Sequence, residues 1–244
     1  TARRPLCNRR GVRRLRRPLA AFIALALLGA ATDPSNPTCP AEPGWGPAKA
    51  MTLSKRDVDG TRVLVAEGIV DAGFPERLRQ AIDADEQIGE VWLRSRGGDA
   101  RAGNEAGKVI RSFTGMATRI PSGWACFSAC NFVFMGGDRR FVDPGGVFMV
   151  HMFTHTNDRE AIYLSVEEGT AETVQLIADI EQASALLATE DNDFLIRMGV
   201  SRDLLTDVMY KQQAVGNDDN PSTRYCLSQD EVLRYNVMTE ERVG

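Results

Sequence analysis

Hydrophobic and polar positions change their period several times along this chain, and each change predicts an element. Residues 61–70 run apolar and β-branched through Val63, Leu64, Val65, Ile69 and Val70, which is the pattern of a strand. Residues 74–88 place Leu78, Ile82 and Ile88 among charges and predict an amphipathic helix. Val91, Trp92 and Leu93 make a short buried strand that runs into Gly97 and Gly98, and a second helix follows through Ala106, Val109, Ile110 and Phe113.

A third unit begins at residues 117–120, continues through 124–130, and passes into the apolar stretch 131–135 closed by Gly136 and Gly137. Residues 145–151 read as another strand. Val174, Ile177, Ile180, Leu187, Phe194, Leu195 and Met198 predict one long or two shorter helices over 165–198. Near the end, Ser228 with Glu231 three residues on is a capping box opening a last helix, and residues 217–221 form a polar loop. Strand, helix, strand, glycine loop and helix in this order predict an α/β fold, with its folded part starting near Thr52. Before it, Pro34, Pro37, Pro40, Pro43 and Pro47 with Gly44 and Gly46 exclude a helix or a central strand, so residues 32–51 read as a Pro-rich linker.

Charge alters the picture at the N-terminus. Eight of the 29 basic residues lie in the first 17 positions and no acid precedes Asp33, so the net charge of −4 conceals an acidic remainder. Such a surface argues against nucleic acid, whose phosphates are met mainly by clustered Lys and Arg. The apolar run at 19–31 is shorter than the roughly 20 residues a membrane-spanning helix needs. A basic start, a short apolar core and small residues near Ala31 predict a signal peptide over residues 1–31, and export to the bacterial periplasm. An uncleaved signal acting as a membrane anchor is the alternative. Cys7 would leave with that segment; Cys39, Cys126, Cys130 and Cys226 remain, an even set with three full pairings in an oxidising compartment. The competing use of Cys126 and Cys130 is a zinc site with His151 and His155, at a spacing unlike the common zinc modules. No resident metal or cofactor is expected.

Three features could carry chemistry. Gly97-Gly98-Asp99 lies where a strand gives way to a helix, so its backbone can approach a ligand and offer amides to an anion, or it is simply a turn. Ser128 sits between a strand-like entry and an apolar helix, with the Ala129 amide beside it; it reads as an exposed nucleophile or as a helix N-cap. His151 ends an apolar strand, and a histidine is suited to act as a general base near neutral pH.

Leu93-Arg94-Ser95-Arg96-Gly97-Gly98-Asp99, Cys126-Phe127-Ser128-Ala129-Cys130, Gly136-Gly137-Asp138-Arg139-Arg140 and Val147-Phe148-Met149-Val150-His151 resemble, in order and near-family separation, the Clp-protease-like branch of the crotonase superfamily. Exported bacterial relatives with a Cys-x-Ser-Ala-Cys core are especially similar. The resemblance implies a spiral of strand-strand-helix units with C-terminal helices over residues 52–244. It implies Ser128 as nucleophile, His151 as base, and the amides of Gly98 and Ala129 as oxyanion hole for peptide hydrolysis through an acyl-enzyme.

The family's acid belongs just before the final Leu-Ser pair, where this chain has Thr223, Arg224, Tyr225 and Cys226. Asp218 and Asp219, upstream across Pro221, could serve only if their loop folds back. A dyad or a silent domain that binds a peptide or partner protein are therefore the alternatives. A Ser–Lys arrangement is disfavoured because Lys49, Lys55, Lys108 and Lys211 have no convincing place beside Ser128. Acyl-CoA chemistry is disfavoured because that cofactor is not expected outside the cytoplasm, and for the same reason of supply no ATP-driven unfoldase is expected. A Cys126–Cys130 bridge would close a five-residue loop around Ser128, and a Cys39–Cys226 bridge would tie the linker to the C-terminal unit. A homo-oligomer is expected, assembled through the 165–198 region.

Overall fold

The computed structural model describes residues 32–33, 36–152, 155–156, 158–212 and 224–239. The expected signal peptide and the candidate acids Asp218 and Asp219 lie outside them. In chain order the elements are β1 (Thr32–Asp33), β2 (Asn36–Pro40), β3 (Thr52–Val58), β4 (Thr61–Glu67), α1 (Phe74–Asp83), β5 (Ile88–Arg94), α2 (Ala100–Ser112), β6 (Ala117–Ile120), β7 (Ala125–Phe127), α3 (Ala129–Met135), β8 (Arg139–Val142), β9 (Val147–His151), α4 (Arg159–Glu168), α5 (Thr170–Met198), α6 (Asp203–Lys211), β10 (Arg224–Cys226) and α7 (Gln229–Arg234).

The architecture is α/β, and its logic is a spiral. Strands β3-β4-β5-β6-β8 form one sheet, antiparallel at β3-β4 and parallel from β4 onward. Each turn of the chain then adds a short extended piece to a second ladder, through the parallel bridges Val70–Gly98 and Ser95–Cys126 and the parallel pair β7-β9, with β10 antiparallel on the outer side of β9. A helix closes each turn. Parallel neighbours require such crossovers, and the crossover helices bury one face of the sheet. Phe74, Leu78 and Ile82 of α1, Val109 and Ile110 of α2, and Val133 and Phe134 of α3 form the core with Leu93 and Phe148. Burial of each large side chain contributes roughly 1.5–3 kcal/mol.

The helix expected over 74–88 ends at Asp83. The Ala84 amide closes its last turn on Gln80 and Ile82, Ile88 N donates to Asp85 O, and the Ile88 side chain is buried as the first residue of β5. The apolar stretch 165–198 resolves into α4 and the 29-residue α5, separated by Gly169 at φ 130°. Only the end of α5 enters the core, through Phe194, Leu195 and Met198. The capping box at Ser228 and Glu231 forms as the sequence predicts.

The Pro-rich stretch contains two short strands, paired with each other and outside the larger sheets. Asn36 Nδ2 donates to Arg224 O at 2.6 Å, Cys226 N donates to Thr38 Oγ1 at 3.2 Å, and a disulfide joins Cys39 to Cys226. Farther along, a side chain at Gly44 would sit 1.7 Å from the Gly123 carbonyl oxygen, so this backbone lies directly against the domain.

Candidate active site

Strand β7 delivers the chain to Ser128, and α3 leaves from it. Between them Ser128 adopts φ 56° and ψ −124°, a conformation that costs a non-glycine residue on the order of 1–3 kcal/mol and persists only when its surroundings enforce it. Here a Cys126–Cys130 disulfide spans the turn and Asn131 N donates to Ser128 O at 2.8 Å. The N-cap alternative fails: the Ser128 side chain makes no capping bond. Its Oγ lies 2.8 Å from His151 Nε2 instead. The turn has twisted the hydroxyl away from the helix amides and toward the end of β9.

His151 is held on its other side by a backbone group. Its Nδ1 lies 2.8 Å from Met152 O, and a carbonyl can only accept, so Nδ1 carries the proton and Nε2 presents its lone pair to the Ser128 hydroxyl. Both ring nitrogens are thereby occupied. Gln212 fixes the backbone that supplies this carbonyl: its Oε1 accepts from Met152 N at 2.8 Å and its Nε2 donates to Val150 O at 3.0 Å, bracketing His151. The imidazole packs on Phe127 in a tilted arrangement, at 4.7 Å between ring centroids, and Phe127 meets Trp45 from the Pro-rich segment at 5.9 Å. Burial lowers the His151 pKa below the ordinary imidazole value; the Met152 carbonyl opposes that shift and the charge of Arg224 adds to it. Arg224 stands opposite His151 in the β10-β9 register, so a cation occupies the neighbourhood where the sequence resemblance would put an acid.

The glycine loop lies under the Ser128 turn. A side chain on Gly97, at φ 88°, would come within 2.5 Å of Phe127 O and 2.9 Å of Ala129 N, so only glycine permits this approach. Val70 N donates to Gly97 O and Asp99 N donates to Val70 O, and in such a parallel bridge the amide of the intervening Gly98 faces away from Val70. Asp99 Oδ1 caps α2 through Ala102 N at 2.9 Å. Helices α2 and α3 then cross closely, since a side chain at Gly103 would meet Ala129 O at 2.4 Å. Ser128, His151, the glycine loop and Ala129 are thus brought to one place.

Other expectations resolve differently. Cys126 and Cys130 are bonded to each other and offer no thiolate, which removes the zinc alternative with His151 and His155. Among the described residues no group of three or more His, Cys, Asp or Glu side chains could hold a metal ion. Lys55, Lys108 and Lys211 bond Asp85, Glu105 and Glu231, and among the described residues no lysine lines the cavity at Ser128. The Met152 carbonyl, Gln212 and Asp191 went unforeseen. Of these only Asp191 left a mark in the sequence, as a carboxyl between Leu187 and Leu195 at helical spacing. Together with Ser128 and His151 it lines a cavity of about 100 Å³ that is otherwise largely apolar.

No family model matches the chain, and no curated protein matches it. Among solved structures, a ClpP1 mutant from Listeria monocytogenes is similar with a TM-score of 0.45 and 15% identity, over 74% of this chain and 92% of that one. A mutant of the 1510-N membrane-bound stomatin-specific protease is similar with a TM-score of 0.44 and 13% identity, over 72% and 75%. An enoyl-CoA hydratase from Shewanella pealeana is similar with a TM-score of 0.42 and 13% identity, over 77% of this chain and 66% of that one. Each is a likeness of chain path.

Proposed function

We propose that this chain is an exported serine hydrolase with a Clp-protease-like, crotonase-type fold over residues 52–244, cleaving peptides through an acyl-enzyme. The observation that carries the reading is the 2.8 Å contact between Ser128 Oγ and a His151 Nε2 whose tautomer the Met152 carbonyl sets. Ser128 Oγ attacks the peptide carbonyl while Nε2 takes its proton, and the amides of Gly98 and Ala129 receive the developing oxyanion. The imidazolium then passes its proton to the leaving amine, and water, deprotonated by His151, releases the acid product and regenerates Ser128. The carbonyl orients the imidazole but cannot neutralise the imidazolium. A Ser–His dyad of this kind therefore works more slowly than a full triad, where disabling the acid costs on the order of 10⁴ in rate. Asp218 or Asp219 would be the acid only by displacing that carbonyl.

Export accords with two disulfides, which persist in oxidising compartments, and with the signal-like residues 1–31. Among the described residues no helix is long and apolar enough to cross a membrane. Assembly into a homo-oligomer is supported by Tyr163, Leu164, Val166, Val174 and Ile177, exposed on α4 and α5. One observation favours a second reading, a silent domain that binds a peptide or partner protein: Arg224 opposite His151 disfavours the imidazolium on which catalysis depends.

Labelling of the purified protein with a fluorophosphonate probe separates the two. Covalent labelling that Ser128→Ala and His151→Ala both abolish is the expected result; a folded protein that stays unlabelled would overturn the hydrolase and favour the silent domain.

A further inference from the structure

The cavity beside Ser128 has one feature that peptide hydrolysis alone does not require. Its walls include Phe132, Phe148, Leu187, Leu195, Leu204 and Val208, and at one point on α5 they carry Asp191. Asp191 shares a helix face with Leu187 and Leu195, four residues to either side. Among the described residues its carboxyl takes part in no ion pair. Its pKa is raised to about 7 by burial, with a further push from the neighbouring Glu190. His151 is the other titratable group on the cavity wall, and the α6 and α3 residues there are uncharged. In such surroundings the carboxyl takes up a proton near neutrality, and a cationic ligand is the partner that would restore its charge.

Size narrows the ligand. About 150 Å³ holds a benzene molecule, so a cavity of about 100 Å³ takes one slender side chain. Lysine has four methylenes for the apolar walls and a single compact charge for the carboxyl, whereas a guanidinium is broader and planar.

We propose that this cavity receives the side chain of the substrate residue bearing the scissile carbonyl, and that Asp191 selects lysine there. This rests on the hydrolase reading, because it is the Ser128–His151 pair that places the scissile bond at the cavity mouth. Asp191 is then a specificity residue that sequence similarity does not point to.

The test uses diphenyl phosphonate peptides whose phosphorus-bearing residue is the analogue of lysine, norleucine or glutamate, with a plain fluorophosphonate as control for an activated serine. The full chain should react with the lysine probe about tenfold or more faster than with the norleucine probe, and least with the glutamate probe. Asp191→Asn should bring the lysine and norleucine rates together. Equal rates in the unmodified protein, with the fluorophosphonate reacting, would overturn the lysine assignment and leave the hydrolase standing. If the fluorophosphonate does not react, the hydrolase reading fails and calorimetry with the Ser128→Ala protein decides the cavity. Tighter binding of a lysine peptide than its norleucine counterpart, lost in Asp191→Asn, would support lysine selection by Asp191 in a cavity that binds without cleaving; equal binding, or none, would overturn it.

Discussion

His151 carries the chemistry at the residue scale, and its surroundings set the pH at which it can act. Burial lowers its pKa below the unfolded value, so the neutral base survives into mildly acidic solution. The rate of fluorophosphonate labelling is accordingly expected to be level through neutrality and to fall on an acid limb whose midpoint lies below pH 6.5; a midpoint above that value would count against the buried imidazole. Stability follows the same sign. The unfolded chain binds the proton first, so the contribution of neutral His151 is present above the unfolded pKa and is lost as pH falls through the folded one. Ser128 and His151 were legible as candidates because few side chains can play those parts. Met152 was not, since what it contributes is a carbonyl that every residue possesses.

Between elements, the deciding contact is the one from the end of α6 to β9. Gln212 is buried, accepts from Met152 N and donates to Val150 O, and so holds the two peptides flanking His151, next to the Met152 carbonyl that orients the imidazole. As a positioning residue it is expected to matter for rate and for the His151 titration together. Gln212→Ala should lower the labelling rate on the order of 10²-fold, the cost of a misplacement of about 1 Å. Loss of the Met152 bond, which raises the His151 pKa, should also move the acid limb to lower pH. A slower rate with an unmoved acid limb would mean that Gln212 only supports the fold. Helix α6 was not foreseen: Leu204, Leu205 and Val208 span scarcely two turns, too short a pattern to separate from a loop. The α2–α3 crossing was equally hidden, because glycines at 103 and 107 signal close approach only once their partners are known.

Across the whole molecule, the Cys39–Cys226 disulfide joins residues 187 apart and closes the Pro-rich segment over the outer edge of the β10-β9 pair. Cys39, Cys226 and Met149 form a small apolar cluster with Trp45 and Phe127, and Phe127 is the ring on which His151 rests. A bridge across so long a loop is worth roughly 2–5 kcal/mol, mostly by restricting the unfolded chain. Cys39→Ser is therefore expected to lower the melting temperature by several degrees or more and to slow labelling, with the loss visible in a thermal scan of oxidised protein. An unchanged melting temperature would show that the bridge contributes little to stability.

Periodicity predicted the α/β class and the strands that became β4, β5 and β9, because an element buried on one face must repeat its apolar positions with its own geometry, while the spiral was implied by the family resemblance alone and β3, β8 and β10 went unread. Residue chemistry determined that Ser128, His151 and the glycine loop belonged together as candidates. Tertiary structure decided the Cys126–Cys130 and Cys39–Cys226 pairing, since four cysteines permit three arrangements and proximity alone selects among them. It also decided that the imidazole meets a carbonyl with Arg224 across the strand, and that the carboxyl of Asp191 faces an apolar cavity. Those are relations between residues far apart in the chain, and they arise only when separate turns of the spiral bring backbone groups and side chains to one point.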